Sequence, residues 1–154
     1  MRRWNRWAGD EEGSAALEFI TVGLILLVPL VYLIAALGLL QQQTLGVEAA
    51  ARHTARVISQ ASDAETATLR TEQVLAGIVD EYGLNPDSVE IALSCTPTGV
   101  ECPSAGATVT VVVSAMTPLP LMPPVLGLDR STAIPIEAVA VQKMSRLWGT
   151  GGGS

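Results

Sequence analysis

The sequence predicts an α+β protein: a long N-terminal helix that crosses a membrane and continues as an amphipathic helix, a second short helix, and a small antiparallel sheet of about three strands. Three observations carry that prediction. An unbroken apolar run fills Phe19 to Leu40; apolar residues then recur at spacings of three and four; and the final third of the chain contains segments that alternate with a period of two.

The chain has 154 residues, room for one small domain plus an anchor. Its 49% hydrophobic content and mean hydropathy of +0.39 are high for a soluble protein, and the apolar residues are concentrated. The 22 residues from Phe19 to Leu40 hold no charged side chain, and Thr21 and Tyr32 are their only polar ones. At 1.5 Å per residue they make about 33 Å of helix, enough for a hydrocarbon core of roughly 30 Å. Pro29, Gly23 and Gly38 are tolerated in membrane helices. The competing reading is a buried core helix. With one Phe, two Tyr and three Trp, the chain lacks the bulk to hide such a helix on all sides.

A basic N-terminus before an apolar run also describes a cleavable signal peptide. The run is too long for a usual signal core, and Leu40-Gln41-Gln42-Gln43-Thr44-Leu45 offers no small-x-small cleavage site. The helical pattern continues instead. Val47, Ala50, Ala51, Thr54, Val57 and Ile58 fall on one side, and Arg52, His53 and Arg56 on the other. One helix of about forty residues is expected to leave the membrane as an amphipathic element.

Leu69, Val74, Leu75, Ile78 and Val79 predict a second amphipathic helix from Ala64 to Tyr82, capped by Asp63 or Thr66 and stopped by Gly83. Asn85-Pro86-Asp87 is a turn. Strands are expected at Ser88 to Ser94, at Ala107 to Ala115 (the most buried), and at Ile134 to Gln142. In the last, Ile136, Ala138 and Ala140 alternate against Glu137, Val139 and Val141. Between the second and third strands, Thr117 to Gly127 has too many prolines for a central strand. It reads as an extended loop whose apolar face either contacts a partner or membrane surface or packs back on the sheet. Residues 149–154 read as a flexible end without fold information, native or added.

Cys95 and Cys102, with Pro97 and Gly99 between them, predict a disulfide closing a short loop where this part of the chain meets an oxidising compartment. Two free thiols are the alternative. Metal binding has too few ligands, since His53 is the single histidine and lies far away in sequence. No phosphate-cradling glycine loop, nucleophile elbow or zinc pattern is present, so no catalytic residue, cofactor or metal site is expected. A net charge of −6 makes nucleic acid an improbable partner.

Glu18 abuts the apolar run, where a carboxylate is costly unless paired or at the interface. One reading makes it an interfacial acid favoured by the helix dipole. Another takes in its surroundings. If the chain is cut between Gly13 and Ser14, Glu18 becomes the fifth residue. It then offers a counter-charge to a new α-ammonium on a neighbouring helix, which also fixes axial register. This is the arrangement of type IV prepilins.

The junction Glu12-Gly13-Ser14-Ala15-Ala16-Leu17-Glu18-Phe19, the span Leu26-Leu27-Val28-Pro29-Leu30-Val31-Tyr32 and the helix Val47-Glu48-Ala49-Ala50-Ala51-Arg52-His53-Thr54-Ala55-Arg56 resemble TadE-like minor pilins, or pseudopilins, of the tight-adherence (Flp, type IVc) pilus systems. The resemblance covers residues 10 to about 60 and rests on the order and spacing of all three pieces. One departure is the leader's Asp10-Glu11-Glu12, where pilin leaders are usually basic, so processing and membership are separate expectations.

The resemblance implies a pilin-like fold and a minor pilus subunit inserted in the membrane and assembled by helix packing. It makes Gly13 and Ser14 the processing site, and Glu18 and Phe19 the register pair. The implied partners are the lipid bilayer, other pilin or pseudopilin subunits, a prepilin peptidase and the pilus assembly platform. The expected segments are 1–13 (leader or cytoplasmic), 14–62 (transmembrane and amphipathic helix), 63–148 (extracytoplasmic α+β domain) and 149–154. Arg2, Arg3 and Arg6 before the anchor, against Arg52 and Arg56 after it, slightly favour an N-terminus inside the cytoplasmic membrane and a C-terminus outside. The rival reading is a bitopic protein whose extracytoplasmic domain binds a partner, with no processing or polymerisation.

Overall fold

A computed structural model describes residues 11–118 and 133–150, with side chains from residue 15. Residues 1–10 of the expected leader 1–13, residues 119–127 of the expected loop 117–127, and residues 151–154 of the expected flexible end lie outside the described residues. The elements are α1 (Glu11–Gln60), α2 (Ala64–Tyr82), a 3₁₀ turn (Pro86–Ser88), β1 (Glu90–Thr96), β2 (Thr108–Thr117) and β3 (Ile134–Lys143). The α+β class and the order of two helices followed by a three-stranded antiparallel sheet are as the sequence predicts. Helix α1 is longer than expected at 50 residues, because the polar residues from Glu11 continue it in the N-terminal direction.

The chain divides into two compact units, residues 1–38 and 39–154. The first contributes the apolar part of α1. Its side chains point outward all round: Phe19 is 81% exposed, Ile25 65% and Ile34 63%. A helix apolar on every side is at home only in a large core or in lipid. This helix is long and apolar enough to cross a membrane, and only 6% of its apolar window is buried by the chain itself.

In the second unit α1 is amphipathic in the expected register. Gln43, Gly46, Val47, Ala50, Ala51, Thr54, Ala55 and Ile58 are buried, whereas Arg52, His53 and Arg56 are exposed. The buried stripe is mostly small, which lets neighbouring elements approach closely. At Gly46 a side chain would have no room, since an added Cβ lies 2.7 Å from Tyr82 Cβ. One turn earlier, Gln43 Nε2 donates to the carbonyl of Gly83 at 3.3 Å, holding one of the free carbonyls at the end of α2.

Helix α2 starts at Asp63, whose Oδ1 accepts from the Thr66 amide at 2.7 Å, and ends at Gly83 in the left-handed region at φ +62°. Of the two capping candidates, Asp63 is the acceptor and Thr66 the donor. Ala67, Thr71, Val74, Leu75 and Ile78 form its inward stripe. Leu69 does not belong to it and is 56% exposed. It stands two residues from Ala67, about 200° round the helix, so spacing rather than hydrophobicity decides its side.

The sheet order is β1-β2-β3 with both pairs antiparallel. Val109, Val111 and Val113 of β2 face the helices at 0% exposure and form the centre of the core. Strand β1 begins at Glu90, two residues later than expected, because Ser88 is held in the 3₁₀ turn by the Asn85 carbonyl at 3.0 Å. β2 runs on to Thr117, two residues past the expected end, where it pairs with Ile134.

Past β3 the chain stays ordered in hydrogen-bonded turns up to Thr150, further than the expected boundary at residue 149. There Trp148 Nε1 donates to the Ile58 carbonyl at 2.9 Å. The half-buried indole thus closes the C-terminal end of α1.

Candidate functional site

The sequence singles out two places, the junction ahead of the apolar run and the cysteine pair. At the junction, Gly13 and Ser14 lie in the first turn of α1. Glu18 and Phe19 follow one turn later and are both exposed. Ser14 and Glu18 are four residues apart on one continuous helix, so they share a face with a rise of about 6 Å between them. Thr21 donates its hydroxyl to the Leu17 carbonyl at 2.7 Å, which keeps this polar group satisfied within the apolar run. The junction therefore places a carboxylate and an aromatic ring side by side at the start of the apolar run, on a regular helix.

The cysteines form the disulfide. Cys95 and Cys102 join across seven positions with Cα atoms 5.5 Å apart. Gly99, at φ +93°, takes the sharpest part of the enclosed loop, a backbone region that side chains rarely enter. Closing so short a loop contributes about 2.5 kcal/mol by chain-entropy reasoning. Cys95 reaches the core from β1, and Cys102 borders an apolar cleft of about 420 Å³ lined by Ala67, Thr71 and Leu75 of α2 and Ile91 and Leu93 of β1.

No protein-family model matches the chain, and no curated protein and no solved structure matches it. The residues must therefore be read on their own chemistry.

That chemistry is sparse. Among the described residues no three of His, Cys, Asp or Glu gather where a metal ion could sit. His53 is exposed on the polar side of α1. Near it Arg52 pairs with Glu48 at 2.8 Å, an exposed i,i+4 pair of small energetic worth. Asp63 is held below the ordinary aspartate range, first by the Thr66 amide and then by the hydroxyls of Ser62 and Thr66. Its role is to cap α2, so the shift marks a structural group rather than a reactive one. Sequence reasoning missed the Trp148 contact to Ile58 and the row that sets Val139 beside Val112 on the outward side of the sheet.

Proposed function

We propose that this protein is a minor subunit of a tight-adherence type of pilus, held in the cytoplasmic membrane by the apolar part of α1 and assembled by lateral packing of that helix. One observation carries the reading: the apolar face of α1 is uncovered all round, and it is preceded by Gly13-Ser14 and by Glu18-Phe19 at the spacing pilin junctions use. Such a helix needs lipid before assembly and other helices after it. Glu18 then meets the amino terminus of a neighbouring subunit, once Ser14 is freed by a prepilin peptidase.

The chain works as primer, adaptor or tip component, since its second unit is larger than a shaft made of helices requires. Its N-terminus lies inside and its second unit outside, where Cys95 and Cys102 meet an oxidising compartment. The role is structural and adhesive, without catalysis or a cofactor.

Glu18→Ala tests the reading in cells that assemble the fibre. The expected result is an unchanged amount of protein in the membrane fraction and none in the sheared fibre fraction. Normal incorporation of the variant would return Glu18 to the role of an interfacial acid and favour the bitopic reading, in which the second unit binds a partner without polymerising.

A further inference from the structure

A sheet covered by helices on one face places bulk inward and polar residues outward. At its centre, β3 reverses this. Ala138 and Ala140 face the helices, while Val139 and Val141 face away and are 55% and 60% exposed. Strand register sets Ala92, Val112 and Val139 in one row across the outward face, and Ser94, Thr110 and Val141 in the next. The flanking rows differ in charge. Glu90, Ser114 and Glu137 form one; Thr96, Thr108 and Lys143 form the other.

We propose that this face packs against the same face of a second copy of the chain, about a two-fold axis that lies between the sheets and runs across the strands. Such an axis reverses strand direction, so β3 lies over β3 and each acidic row lies over the row that holds lysine. Glu137 then faces Lys143 of the second copy, and by symmetry the pair occurs twice. Val139 packs beside Val141 of the second copy, and Val112 beside Thr110. A two-fold axis along the strands would instead lay β1 over β3 and Glu90 over Glu137, like charge on like charge. The charge rows select the first arrangement. The same acidic row opposes an anionic lipid surface as occupant.

The four rows span roughly 20 Å along the strands and 14 Å across them, roughly 300 Å² of sheet per copy. A standard interface takes about 800 Å² per partner, so the contact is weak between free chains. It becomes effective between chains confined to one membrane, where anchoring raises the local concentration. The inference does not rest on the pilus reading and stands or falls apart from it.

The test uses the full chain in lipid vesicles with the native disulfide intact. Val112→Cys, on the central strand, is treated with a short bismaleimide and compared with Glu81→Cys, exposed on α2. Face-to-face packing yields crosslinked dimer from Val112→Cys and little from Glu81→Cys. Equal yields would overturn it, as would pairing of two β3 edges, which keeps the central strands apart. A second measurement adds no cysteine and follows energy transfer between donor- and acceptor-labelled chains. Glu137→Lys and Lys143→Glu should each lower association about fivefold or more, and the double exchange should restore it. Stronger association of Glu137→Lys alone would select the opposite axis and refute the arrangement.

Discussion

Replacing Gly46 by alanine probes the closest approach of α1 and α2. The new Cβ would lie 2.7 Å from Tyr82 Cβ and 2.8 Å from its Cγ, where ordinary contacts are 3.4–4 Å. Tyr82 Cβ is fixed by the backbone, so no rotamer change clears that contact and the helices must move apart. Overpacking of this kind costs about 1–3 kcal/mol. Alanine returns about 1 kcal/mol of helix propensity relative to glycine. An approach of 2.7 Å to a fixed atom lies in the upper part of the overpacking range, about 2–3 kcal/mol, so the clash wins and leaves a net loss of about 1–2 kcal/mol.

Gly77 supplies the control, being exposed on α2 with nothing within 4 Å of an added Cβ. Only the propensity term acts there, so Gly77→Ala gains about 0.5–1 kcal/mol. Thermal unfolding of the full chain in detergent, followed by far-UV circular dichroism, reads both. At about 4–8 °C per kcal/mol, Tm should fall by roughly 5–10 °C for Gly46→Ala and rise by about 4 °C for Gly77→Ala. A Gly46→Ala protein as stable as the parent would refute the close helix contact.

Three further outcomes follow from the second unit. Thr54 is fully buried, its hydroxyl without a hydrogen-bond partner in the structure, so Thr54→Val should stabilise by about 1 kcal/mol in chemical denaturation. Trp148→Phe keeps most of the apolar contact but removes the donor to the Ile58 carbonyl, and should lose about 1 kcal/mol in the same assay. Asp63 has a lowered pKa when folded, so its contribution is complete above about pH 3.9 and disappears as pH falls through the folded-state value. Asp63→Ala should therefore lower Tm at pH 7 and match the parent in strong acid, and a gap that widens with acid would contradict the cap.

Much of this architecture is legible in the sequence because it is written in local terms. The apolar run needs only length and hydropathy. Asp63 and Gly83 announce the ends of α2, and alternation assigns Ile136, Ala138 and Ala140 to the inner side of β3. What escaped depends on tertiary partners. Leu69 looks like a core residue until the stripe through Ala67, Thr71 and Ile78 is known. Ser88 reads as strand until Asn85 draws it into a turn. Trp148 lies ninety positions from Ile58, a distance over which no periodicity reports. The outward valines are visible in the sequence as alternation, but their setting in one row with Val112 requires the register.

The junction is legible as a motif, and its meaning rests on processing. Co-expression of the full chain with a prepilin peptidase, followed by intact mass and N-terminal sequencing, tests the central claim most directly. The account predicts a mature chain that begins at Ser14 and remains in the membrane. A chain that inserts and keeps Gly13 in the presence of active peptidase would contradict it.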